Sequence, residues 1–254
     1  MGRFPCIDPL AEKYYSWSGY NYVMDSPLLL VDPDGRVTQS PIYNMDGEFL
    51  GTDDEGLQGE AIVMDERHFI QGMSHNEAKA YDLSPNLGFM NENAKNKMKS
   101  HYEALPNRPD YDGFVTIKEG IQWAKDHPNT LPSNITPDNS LYLDASKLDF
   151  GDLSVDNIGL KEGEKGNVNL FDYVQWSSSS SRATTYALGN TKIQLLSADA
   201  GTIKLFWDDY DWDYHNDPPR GTRDRLIQVE RWRSGLNDSH GFRVFIYGVG
   251  IIEK

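Results

Sequence analysis

The alternation of apolar and polar positions divides the chain into a helical first half and a β-rich second half. Residues 41–65, PIYNMDGEFLGTDDEGLQGEAIVMD, read as two strands joined by a polar, glycine-rich loop, with MDGE as a turn. SHNEAKAYDL and NENAKNKMKSHYEAL are polar with helical spacing and predict surface helices. His68, His75 and His101 lie in or near them and read as surface histidines rather than ligands. In RPDYDGFVTIKEGIQWAKDH, Thr116 is followed three residues later by Glu119, a capping box, and Ile117, Ile121 and Ala124 then share a face. This predicts a helix over 117–126, ended by HPN. Asp110, Asp112, Gly113 and Glu119 have the spacing of a calcium loop, but its first ligand position falls on Arg108, a cation where a carboxylate is needed.

From residue 130 the pattern shortens to strand period. SLYLDASKLDF and LSVDNIGL alternate over short stretches, NVNLFDYVQW reads as a short helix, and SSSSSRA reads as a flexible connector. TTYALG, KIQLLSA and TIKLFW follow at close spacing with GN and DAG turns, the signature of an antiparallel meander. RLIQVERW and GFRVFIYGVGII predict two more strands, and the second, apolar on both faces, belongs at a sheet centre. The expected class is α+β, with a helical N-terminal half and an antiparallel β-rich, open-barrel-like C-terminal half. No internal repeat is present.

Composition narrows the function. The 254 residues are 38% hydrophobic and 25% charged, compatible with a packed core. A net charge of −15 repels nucleic acid and anionic membrane surfaces unless basic residues cluster, so no nucleic-acid partner is expected. Cys6 is the one cysteine, which removes an intrachain disulfide, a multi-cysteine zinc site and, for residues 37–254, cysteine-protease chemistry. No apolar run approaches the length of a transmembrane helix, and the first residues lack the pattern of a signal peptide. HExxH, GxSxG, a Walker-type phosphate loop and the zinc-deaminase pattern are all missing.

Residues 1–36, MGRFPCIDPLAEKYYSWSGYNYVMDSPLLLVDPDGR, are aromatic-rich and carry Asp-Pro near both ends. This segment resembles the end of the Rhs repeat-associated core, the last part of a β-cocoon that encapsulates a toxin. The resemblance implies that residues 37–254 are a variable C-terminal toxin domain; the residue pattern divides it into a hairpin-plus-helices part (37–130) and a β-rich catalytic part (131–254). It also implies a cognate immunity protein, the Rhs cocoon of the parent chain as partner, and delivery as a secreted effector. Asp8 and Asp32 match the two aspartates that cleave many such chains after the second Asp-Pro turn. Here Leu-Ala-Glu replaces the usual Ile-Gly-Leu after the first turn, and Arg36 replaces a leucine, so self-cleavage of this fragment is not expected.

The strongest chemical feature is DDYDWDYHNDPPR, residues 208–220, with five carboxylates, one histidine and three aromatics directly after the GTIKLFW strand. On a continuing strand Asp209, Asp211 and Asp213 share one face, with Asp208, Tyr210 and Trp212 on the other. Converging carboxylates suit magnesium, and Arg220, Arg223, Arg225, Arg231 and Arg233 supply forks that match phosphate oxygens. Together they are equipment for attack on a phosphate ester or anhydride. The competing reading is that loop acids pair with loop arginines and do no chemistry. TDDEG, residues 52–56, poses the same choice for calcium: an ion site or a solvated acidic loop.

Asp208, Tyr210 and Asp211, followed by His215, a basic loop and GFRVFIYG, resemble the colicin M family. Members of that family cleave lipid II, releasing the undecaprenyl carrier, and require magnesium. The family's Asp-x-Tyr-Asp is present, whereas its His-Arg pair is replaced by an isolated His215 with Arg220 or Arg223 further on. The roles that follow are these: magnesium or the attacking water held by Asp211 with Asp208; orientation by Tyr210; acid–base work by His215, with His240 as a substitute; pyrophosphate held by Arg220 or Arg223. Asp213, on the Asp211 face of a continuing strand, is a further candidate metal ligand. It further implies a lipid-linked substrate in the target-cell periplasm. The alternatives are a non-enzymatic toxin or binding module whose acidic loop docks the immunity protein, and a metal-dependent nuclease.

Overall fold

The computed structural model describes residues 40–128, 134–211, 229, 231–237 and 240–254, with Tyr210 and Asp211 given by their backbone alone. The fold is α+β, with open, antiparallel-rich sheets and, among the described residues, no closed barrel. The chain forms two compact units that divide between Tyr111 and Asp112.

In the first unit, β1 (Pro41–Tyr43) and β2 (Phe49–Thr52) form the hairpin expected from MDGE, and β3 (Ile62–Val63) adds in parallel to β1. The turn needs its glycine twice over. Gly47 has φ of 75°, and a Cβ there would sit 2.1 Å from the Ala94 carbonyl oxygen. Helices α1 (His75–Ala80) and α2 (Glu92–Ala104) start at Ser74 and Asn91, whose side chains accept the amides of Glu77 and Ala94. Ile42, Ile62, Met64, Met73 and Ala78 close the small core.

In the second unit, α3 (Ile117–Asp126) has the expected bounds and the reciprocal Thr116–Glu119 capping box. A three-stranded sheet has the order β4 (Leu141–Asp144), β9 (Gly241–Tyr247) and β8 (Asp208–Asp211): β4 runs parallel to β9, and β8 runs antiparallel to it.

 β9 is therefore the central strand, as its two apolar faces require. β10 (Gly250–Ile251), β7 (Thr202–Leu205), β6 (Asn190–Ser197) and β5 (Lys165–Asn169) form the second sheet in that order, an antiparallel meander. Leu141, Leu143, Leu170, Ile193, Leu195, Ile203 and Val244 belong to one continuous core.

Three local expectations change. NVNLFDYVQW is not a helix along its length: β5 runs to Asn169, and only Leu170–Asp172 make a 3₁₀ turn. The serine run and TTYALG are neither connector nor strand but helix α4 (Ser179–Leu188), capped by Ser178 and stopped at Gly189, whose φ is 57°. Its buried face, with Ala183, Thr184, Thr185 and Leu188, repays the poor helix propensity of serine and threonine. In RLIQVERW, the described residues Val229, Arg231 and Trp232 are helical rather than extended. Among the described residues no helix is long and apolar enough to cross a membrane.

Candidate functional site

Strand β8 carries the Asp-Asp-Tyr-Asp sequence at the end of the β4–β9–β8 sheet. Its register sets Asp208 opposite Val244, Asp209 opposite Arg243, Tyr210 opposite Phe242 and Asp211 opposite Gly241. Asp209 meets Arg243 in a two-pronged ion pair, with Nε–Oδ1 at 2.7 Å and Nη2–Oδ2 at 2.8 Å. The guanidinium also lies 4.1 Å from the centroid of the Trp207 ring, a cation–π contact. Asp209 is thereby paired across the sheet with a strand arginine, not with an arginine of the following loop. Asp208 accepts the amide of Asp209 through Oδ1 at 3.0 Å.

Positions 208 and 211 are the two ends of β8. Asp209 and Asp211 share a face, but the first is held by Arg243. Among the described residues no three acids or histidines gather as a metal site. Asp213, His215, Arg220 and Arg223 lie outside the described residues, as do Asp8 and Asp32. His240 is tied into a turn, its Nδ1 accepting the amide of Asn237 at 3.1 Å.

The first unit holds polar clusters that sequence reading missed. Asp53 is fully buried; its Oδ1 accepts the amides of Ser40 and Glu55, and its Oδ2 lies 2.8 Å from Nδ1 of His75. The acidic loop at 52–56 is thus an internal brace in its first carboxylate. Burial pushes the His75 pKa down, but the hydrogen bond to Asp53 and the charges of Asp53 and Glu55 outweigh it and leave the imidazole above its ordinary value. Ser40 Oγ also reaches Nδ1, at 3.3 Å. Serine and aspartate on the same ring nitrogen cannot relay a proton as a catalytic triad does, which needs one partner on each nitrogen. His101 is likewise structural: its Nδ1 is 2.9 Å from the Tyr43 hydroxyl, and its ring stacks on Phe49. His68 stacks on Tyr81 at the surface. Arg108 grips the fully buried Asp110 with Nε and Nη2, both at 2.9 Å, which explains the cation in the would-be calcium loop. The signal for these pairs is spatial, since Asp53 and His75 are 22 residues apart.

No protein-family model, no curated protein and no solved structure matches the chain.

Proposed function

We propose that the chain is the C-terminal toxin of an Rhs-type effector and a magnesium-dependent hydrolase of a phosphate ester or pyrophosphate, with lipid II as its substrate. The observation that carries the reading is β8 itself: an Asp-Asp-Tyr-Asp strand laddered onto the apolar central strand β9 and leading directly into the histidine- and arginine-bearing segment. A sheet-end strand gives rigid backbone support to residues that must face a substrate. In this reading Asp211, with Asp208 or Asp213, would hold magnesium, which would supply charge stabilisation at the phosphate. Tyr210 orients the phosphate by hydrogen bonding, His215 moves the proton between water and leaving group, and Arg220 or Arg223 grips the pyrophosphate. Asp209 takes no part, because Arg243 neutralises it. The setting is the target-cell periplasm, and a cognate immunity protein protects the producer.

The test is incubation of the chain with purified lipid II, with and without magnesium, followed by chromatography for free undecaprenol and its phosphates. Magnesium-dependent release is expected, falling at least about a hundredfold in Asp211→Ala, the scale of losing a group that acts in the reaction. A folded protein that leaves lipid II intact overturns the substrate assignment. Release that survives Asp211→Ala overturns the assignment of β8.

A further inference from the structure

A cleft of about 280 Å³ opens in the second unit where the first turns of α3 and α4 approach each other. Phe114, Ile117 and Ala183 give it an apolar floor, and Lys118 and Arg182 stand on its wall. Two of its eight lining residues are cations and none is an acid, in a chain with 39 acids and 24 bases. Among the described residues neither Lys118 nor Arg182 forms an ion pair; Arg182 donates from Nη1 to the Trp176 carbonyl. Two carboxylates border the cleft, each bound to a hydroxyl of its lining. Asp149 is held by the hydroxyls of Ser178 and Ser180 at 2.8 and 2.7 Å, and Glu119 by Thr116 at 2.6 Å; neither lines the cleft.

We propose that this cleft binds a phosphate monoester, its dianion between Lys118 and Arg182 and its apolar substituent on Phe114, Ile117 and Ala183. Two unpaired cations attract a dianion, and the arginine fork offers it directed donors. None of the lining residues lies on β8 or β9.

Titration of the full chain by isothermal calorimetry with inorganic phosphate and with butyl phosphate tests this. Saturable binding of both is expected, with butyl phosphate tighter through the apolar floor. Lys118→Gln and Arg182→Gln should each weaken binding by about tenfold, one charge-assisted hydrogen bond's worth. Lys125→Gln, which removes the same charge from the far end of α3, should leave affinity unchanged, and circular dichroism checks that each variant folds. Absence of binding overturns the site, as does an equal loss in Lys125→Gln, which reports a general charge effect. Equal affinity for the two probes removes the apolar floor from the proposal. The lipid II assay does not enter this result.

Discussion

Two acidic runs, residues 53–55 and residues 208–211, look alike in sequence and are used differently. In the first, Asp53 turns inward and disappears from solvent, where it organises two amides and a histidine. In the second, Asp209 pairs with Arg243 while remaining one-third exposed, on a strand at the end of its sheet. The difference is in what surrounds the carboxylates. A buried acid is tolerable only when hydrogen bonds and a counter-charge replace its hydration, so its partners are fixed by folding. A carboxylate on a sheet-end strand keeps water and can exchange partners. Acid density alone therefore marks neither a site nor a structural brace; the burial of each carboxylate separates the two.

The sharpest way to break this comparison is to truncate both runs. Asp53→Ala strands the amides of Ser40 and Glu55 and leaves His75 without its anion, which should cost about 3 kcal/mol of stability in urea unfolding. A loss below about 1 kcal/mol means that Asp53 is not the brace its geometry indicates. Asp110→Ala offers an independent check of the same rule, because it leaves the Arg108 guanidinium, 11% exposed, without its carboxylate. Its loss should be similar, about 3 kcal/mol.

A smaller effect is expected at the second run. Asp209→Asn and Arg243→Met should each cost about 1 kcal/mol or less, since solvent screens a pair in which the partners are 33% and 23% exposed. A double-mutant cycle isolates the pair itself, with an expected coupling under about 1 kcal/mol. A coupling above that value would make Asp209 a structural brace of the same kind as Asp53. The lipid II assay bears on the same contrast: Asp209→Asn should retain release, whereas Asp211→Ala should abolish it.

Much of the architecture was legible because it is written locally. The capping box at Thr116 and Glu119 fixed the start of α3, and the two-sided apolarity of GFRVFIY fixed the centre of a sheet. Helix α4 was not legible, because serine and threonine disfavour helices and the compensation comes from afar. The Thr184 hydroxyl accepts the amide of Asp149, whose carboxylate in turn holds Ser178 and Ser180. The candidate site shows the same division. An Asp-x-Tyr-Asp strand can be read from its residues, whereas the loss of Asp209 to Arg243 depends on strand register, across 34 residues of chain.

The smallest expected effect is a difference in pH response. His75 is held above its ordinary pKa of 6.5, so its charged form is favoured by folding. Its contribution to stability is complete below the unfolded value and is lost as pH rises through the higher folded value. Asp149 has the opposite sign. Burial pushes its pKa up, but hydrogen bonds from Ser180, Gly151 and Ser178 outweigh this and leave it below the ordinary 3.8. Its contribution is present above that value and is lost as pH falls through the folded one. Urea unfolding of wild type and His75→Gln should therefore differ most near pH 6 and converge above neutrality, while Asp149→Asn should differ from wild type near neutrality and converge only in acid. A gap for His75→Gln that widens with pH would mean that the imidazole is neutral beside Asp53, and that the buried carboxylate is balanced by its amides alone.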